Sequence, residues 1–174
     1  MHYKSFFVLL LTVLMFSFTT GAKKFPSAQL KDLNGKVVKT GDFVNDGKIT
    51  IVSFWATWCV PCQRELDIYA ELYDEWKEKY GLEIVAITID NARQLAKVKP
   101  LVAQKQWQFT ILSDANQELM RALNFSFVPQ TFILDKKGNI VFDHSGFKPG
   151  DEYEMEEIFE KLVKEWRNGG NTQL

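Results

Sequence analysis

Histidine, cysteine, proline and glycine are all scarce in this chain of 174 residues, and each shortage excludes something. Two cysteines and two histidines cannot assemble a zinc site of several His and Cys ligands without carboxylate help. Ten glycines and five prolines, in a composition that is 46% hydrophobic, exclude collagen-like repeats and low-complexity disorder. Neither sign of charge dominates. Twenty-one Lys and Arg stand against 22 Asp and Glu, so no global field draws in nucleic acid or anionic lipid. The longest apolar run, Phe6 to Phe18, falls well short of the ~20 residues a membrane-spanning helix needs. What remains is a chain the size of one globular domain, large enough to bury its own core.

The short apolar run fits a different role. Lys4 precedes it, and the small residues Thr19, Thr20, Gly21 and Ala22 follow it, which is the pattern of a secretory signal. Thr20 and Ala22 would occupy the −3 and −1 sites of a cut before Lys23. Residues 1–22 are therefore expected to be a signal peptide and the protein to be exported, into a periplasm. An uncleaved membrane anchor is the alternative. Loss of the leader takes His2 with it and leaves His144 as the sole histidine. Any Ser-His-Asp or Cys-His arrangement would have to rest on that one residue.

Strand-like and helix-like segments alternate through the rest. Leu30 to Val38 holds Asn34-Gly35 between two apolar stretches, a hairpin signal. Ile49 to Trp55 is a β-branched and aromatic run of buried-strand length. From Pro61 to Tyr80, apolar and aromatic residues recur at three- and four-residue steps, which predicts an amphipathic helix ended by Gly81. Leu82 to Ile89 reads as a strand, and Asn91 to Gln106 as a helix interrupted at Pro100. A strand at Phe109 to Leu112 and a short helix at Asn116 to Leu123, capped by Asp114, come next. Thr131 to Leu134 and Ile140 to Phe142 pair across a turn at residues 135–139. Asp151 to Trp166 is a last helix with acids first and bases last, matching its dipole. Asn168 to Leu174 is left as a flexible polar tail. The pattern predicts one α/β domain over residues 25–167, with a mixed central sheet flanked by helices.

Both cysteines fall at one strand-to-helix junction, Trp55-Ala56-Thr57-Trp58-Cys59-Val60-Pro61-Cys62. In an oxidising compartment, paired cysteines are more often structural disulfides. Three features argue for a reversible redox pair instead. A bridge between neighbours three apart closes almost no loop, so it constrains the unfolded chain very little. The start of a helix offers free N–H groups and a positive dipole end, which stabilise a thiolate. Pro61 suits a first-turn position, where its missing N–H costs nothing.

These residues carry a resemblance. Phe54-Trp55-Ala56 followed by Trp58-Cys59-Val60-Pro61-Cys62 resembles the active site of the thioredoxin superfamily. Leu33-Asn34-Gly35-Lys36, Ile87-Thr88-Ile89-Asp90 and the stretch from Val128 to Asp135 are similar to its exported TlpA/ResA-like branch of thiol-disulfide oxidoreductases, as is Lys137 to Val141. That branch implies a thioredoxin-like fold with an N-terminal β-hairpin and an inserted βα-type segment.

The resemblance also implies roles. Cys59 becomes an exposed nucleophile that forms a mixed disulfide with substrate, and Cys62 the less exposed thiol that resolves it. Pro129 matches a cis-proline facing the cysteines, with Val128 beside it offering backbone to substrate. A trans bond that merely starts a strand is the alternative. Trp58 joins the docking surface. Glu65, three residues after Cys62 on the same helical face, is implied as proton acceptor and tuner of the cysteines; otherwise it is one more solvated helix acid. Thioredoxin itself uses a buried aspartate six residues before the first cysteine, and here Ser53 stands there and cannot do that work. Asp67 replaces a helix-kinking proline of many relatives, which predicts a straighter helix.

The implied activity is reduction of protein disulfides outside the cytoplasm. Electrons would come from a membrane thiol-transfer protein of the CcdA/DsbD type, with cytochrome c biogenesis as one setting. No metal or organic cofactor is implied. A disulfide oxidase or isomerase, or a binding module with an inert disulfide, are the alternatives. A peroxidase fits poorly, because the cysteine pattern is wrong for one.

Overall fold

The computed structural model describes residues 22–44 and 46–170, so the expected signal segment, apart from Ala22, lies outside the described residues. The chain opens with the hairpin β1 (Gln29–Asp32) and β2 (Val37–Lys39). Its turn forms where Asn34-Gly35 predicts. Asp32 Oδ1 accepts the N–H groups of Asn34 and Lys36 at 2.8 and 2.9 Å, and Gly35 takes a left-handed φ of 85°.

After a one-turn helix α1 (Gly41–Val44), β3 (Ile49–Trp55) is buried along its whole length. It feeds α2 (Val60–Tyr80), which ends on Gly81 in the left-handed conformation. Next come β4 (Leu82–Thr88), a 3-10 turn at Leu95–Lys97, α3 (Val98–Lys105) and β5 (Thr110–Ser113). The chain closes with α4 (Glu118–Leu123), β6 (Gln130–Leu134), β7 (Ile140–Ser145) and α5 (Asp151–Gly170). Among the described residues, no helix is long and apolar enough to cross a membrane.

The seven strands of the described residues join one sheet in the order β2-β1-β5-β4-β3-β6-β7. The three central strands β5, β4 and β3 are parallel, and every other pairing is antiparallel. A mixed sheet follows, as the late hairpin predicts. Before β1, Lys24 bridges to Asn139, with Phe25 N–H donating to the Gly138 carbonyl and Ile140 N–H to that of Lys23. This strip laces the start of the described chain to the β6–β7 turn.

The stripe on α2 packs as core. Trp76 meets Phe159 of α5 edge-on at 5.3 Å and donates its Nε1–H to Glu156. Each such aromatic contributes about 2–3 kcal/mol by burial, with roughly 1 kcal/mol more for a well-set pair.

Four details differ from the sequence expectations. Pro100 does not interrupt a helix: it is the third residue of α3, within the first turn, where N–H groups have no intrahelical partner. Asp114 caps α4 from a distance. Its carboxylate accepts the N–H groups of Glu118 and Met120 at 2.9 Å, while the helix itself begins later than Asn116. β7 runs on to Ser145, because an edge strand tolerates polar residues on its solvent side. Finally, α5 continues through Gly170 and takes up the first residues of the expected tail. Asp67, in place of the kinking proline, ties α2 to the end of α3: its carboxylate accepts Trp107 Nε1–H at 3.0 Å and pairs with Lys105 Nζ at 2.6 Å.

Candidate active site

β3 delivers the chain to Trp55, and α2 starts five residues later with Cys59 as its N-cap. The connecting loop is held from below. Asp90, fully buried, accepts both the backbone N–H and the hydroxyl of Thr57 at 2.8 Å, and the hydroxyl of Thr88 at 2.6 Å. Gln63 Nε2 donates to the Thr57 carbonyl at 2.9 Å, and Cys59 N–H to that of Ala56 at 3.0 Å. Asp90 as the loop's anchor was not legible beforehand. Its only signal was an acid closing an otherwise apolar strand.

Cys59 and Cys62 are joined as a disulfide with their Cα atoms 5.3 Å apart, and Cys62 N–H points at Cys59 Sγ across 3.3 Å. That N–H is one of the free donors at the helix start, placed where it would stabilise a Cys59 thiolate. The expectation of an exposed Cys59 needs correction. Only 4% of its surface is open, because its sulfur is bonded to the buried Cys62 and Val128 lies over it. Cys59 Sγ sits 3.6 Å from the Val128 carbonyl oxygen, and the Val128–Pro129 bond is cis. The structure thus brings Cys59, Cys62, Val128 and Pro129 together from α2 and the start of β6.

Apolar side chains surround this point and face outward. Trp58 is 58% exposed and Val60 is similar, flanking Cys59 in sequence. Phe127, just before Val128, is 62% exposed. The sequence reading missed Phe127; its signal was an aromatic beside the Val-Pro pair in a turn. Trp55, by contrast, is buried and packs edge-on against Trp107 at 5.1 Å.

Glu65 lies one turn beyond Cys62 on α2 and is only 2% exposed, so it is not a solvated helix acid. Its Oε2 accepts the Ser53 hydroxyl at 2.8 Å, and its Oε1 accepts those of Thr131 at 3.0 Å and Tyr69 at 3.1 Å. Burial pushes its pKa up to about 7, and the three hydrogen bonds, Ser53 foremost, hold it from rising further. Ser53, which cannot itself act as a base, braces the residue that can. His144 stands apart, its Nε2 3.1 Å from Asp151 Oδ2 and its ring stacked on Phe142.

Comparison with known proteins agrees with this geometry. The family model of AhpC/TSA matches residues 22–143. The chain belongs to the AhpC/TSA family. Thiol-disulfide oxidoreductase ResA of Bacillus thuringiensis subsp. konkukian is 32% identical over 141 residues, covering 81% of this chain and 78% of that protein. A thioredoxin-like protein from Porphyromonas gingivalis superposes with a TM-score of 0.72 at 39% identity, over 83% of this chain and 95% of that one. A Chlorobium tepidum protein described as a thiol:disulfide interchange protein DsbE gives 0.71 at 25% identity, over 82% and 96%. This AhpC/TSA chain is a thioredoxin-like thiol-disulfide oxidoreductase of the ResA-like kind.

Proposed function

We propose that the protein is an exported reductase of protein disulfides. The observation that carries this reading is the placement of Glu65: a buried carboxylate one turn beyond Cys62, behind a Cys59–Cys62 pair that Val128 and cis-Pro129 border. A negative charge held close to the pair disfavours its thiolate form. It opposes the stabilisation that the helix start gives the Cys59 thiolate, and the less the reduced form is stabilised, the more strongly the pair reduces.

In the reduced enzyme, the Cys59 thiolate attacks a sulfur of the substrate disulfide and expels the other as a thiolate, which takes a proton from water. Cys62 then attacks Cys59 Sγ, releasing the second substrate thiol and closing the enzyme disulfide. Two electrons pass to the substrate in all. Cys62 must lose its proton first, and Glu65 accepts it, its pKa of about 7 suiting neutral pH. The exposed Trp58, Val60 and Phe127 make the docking rim for an extended polypeptide laid along Val128 and Pro129. Reduction of the resting disulfide requires a dithiol donor, and a membrane thiol-transfer protein of the CcdA/DsbD type fits that need.

Equilibration with glutathione tests the direction. A potential near the roughly −270 mV of thioredoxin is expected; one near about −120 mV would establish an oxidase instead. Loss of dithiothreitol-driven insulin reduction in Cys59→Ala separates either from a binding module, for which the variant would behave as wild type. N-terminal sequencing of the mature protein from its native host tests export, with Lys23 as the expected first residue.

A further inference from the structure

A proton accepted by Glu65 cannot simply diffuse away. The carboxyl is 2% exposed, Cys62 is completely buried, and a docked substrate would cover Cys59. Two of the hydroxyls that Glu65 meets, however, also border a cavity nearer the surface. Thr131 donates its hydroxyl to Glu65 Oε1, and Thr131 is the cross-strand partner of His144, so both project from the same face of the sheet. Tyr69 donates to the same oxygen. Tyr69, Thr131, His144, Asp151 and Glu154, together with the apolar Phe142 and Met155, line one small cavity of about 10 Å3, at the lower edge of the roughly 10–15 Å3 that one water occupies. His144 and Asp151, 3.1 Å apart, are partly open to solvent.

The geometry points to these groups as the proton route of the enzyme: Glu65 exchanges its proton with bulk water through the Thr131 hydroxyl, one water in the cavity, and the His144–Asp151 pair. The inference rests on the reading of Glu65 as proton acceptor for Cys62. Tyr69 on its own helix bonds Glu65 directly and Asp151 of α5 acts on it by charge, with Cys62 one turn back along α2; His144 of β7 and Glu154 of α5 lie beyond, across the cavity that Tyr69 and Thr131 also line, and β3 and β6 supply the hydroxyls of Ser53 and Thr131. Each step moves one proton along hydrogen bonds and no electrons. The hydroxyl of Thr131 gives a proton on one side as it takes one on the other. His144 and Asp151 touch neither substrate nor sulfur, and are positioning residues for the transfer.

The reaction of the reduced protein with 5,5′-dithiobis(2-nitrobenzoate) separates the two thiols. Cys59 attack releases one thionitrobenzoate, and resolution by Cys62 releases the second. In dilute buffer, His144→Gln and Asp151→Asn should slow the second release on the order of tenfold, short of the hundredfold or so typical for loss of a base itself. The first release should keep its rate, and added imidazole should restore the second. Thr131→Val should slow the second release without rescue. If both surface variants match wild type while Glu65→Gln is slow, the route is wrong and the base stands. If Glu65→Gln resolves at the normal rate, the base reading falls and the route with it. Slowing of both releases alike, unrelieved by imidazole, would mean a structural lesion and likewise overturn the route.

Discussion

The Ser53 hydroxyl donates to Glu65 Oε2 across 2.8 Å, joining the residue six before Cys59 to the residue three after Cys62. The position that carries an acid in thioredoxin thus carries a brace here, and the acid enters from α2. Ser53 favours the ionised carboxylate, so its removal leaves burial less opposed. In Ser53→Ala, the Glu65 pKa should rise above about 7 by roughly one unit, the value of one hydrogen bond to a charge. A carboxyl-carbon NMR titration of the disulfide form would read this. An unchanged or lowered midpoint would show that the brace does not act on the charge.

Glu65 also makes stability depend on pH. Its folded pKa of about 7 lies above the ordinary 4.5, so the folded state holds a proton that the unfolded state has released between those values. Its contribution is fully present below about 4.5 and is lost as pH rises through 7. The loss is on the order of 3 kcal/mol. Urea unfolding of the oxidised protein at pH 5 and pH 8 should show wild type losing more stability than Glu65→Gln over that interval. Parallel losses in the two proteins would count against a buried neutral acid at low pH.

Asp90 anchors the loop that presents Cys59. Asp90→Ala strands the donors of Thr57 and Thr88 and should cost about 3 kcal/mol. Insulin reduction should fall with it, since Thr57 would no longer fix Trp58 and Cys59. Asp90→Asn, similar in shape, should recover part of both. A variant of wild-type stability and rate would remove Asp90 from the site's support.

Gly138 tests the fold away from the chemistry. A Cβ there would lie 2.7 Å from the Val44 carbonyl oxygen, at a φ of +73°. Gly138→Ala should destabilise by about 2 kcal/mol and leave the redox potential unchanged. Thermal unfolding and glutathione equilibration read the two effects separately.

Much of this was legible because local chemistry and tertiary position agreed. Ile49–Trp55 is apolar except at Thr50 and Ser53 because both of its faces are covered, and Cys-x-x-Cys follows its exit at the helix start. Glu65 was legible only as a position. Its burial is satisfied by Tyr69, one helical turn along α2, and by Ser53 and Thr131, hydroxyls on β3 and β6 that no spacing rule connects to it. Asp90 and Phe127 were missed for the same reason: one acts across a strand end on a loop, the other gains its meaning from preceding Val128, whose carbonyl lies beside Cys59. Pro100 misled because a proline's effect depends on which turn of the helix it occupies, and that register came from the preceding 3-10 turn.

The strip at Lys23–Phe25 sets a polarity for the whole molecule. It is laced to the β6–β7 turn, and β6 runs antiparallel to β3 with Leu134 opposite Thr50 and Gln130 opposite Phe54. That turn therefore lies at the foot of β3, and the disulfide lies beyond its head. Lys23, laced to that turn, lies at the foot as well. An attachment made at that strip would therefore leave the rim of Trp58, Val60 and Phe127 uncovered at the opposite end of β3.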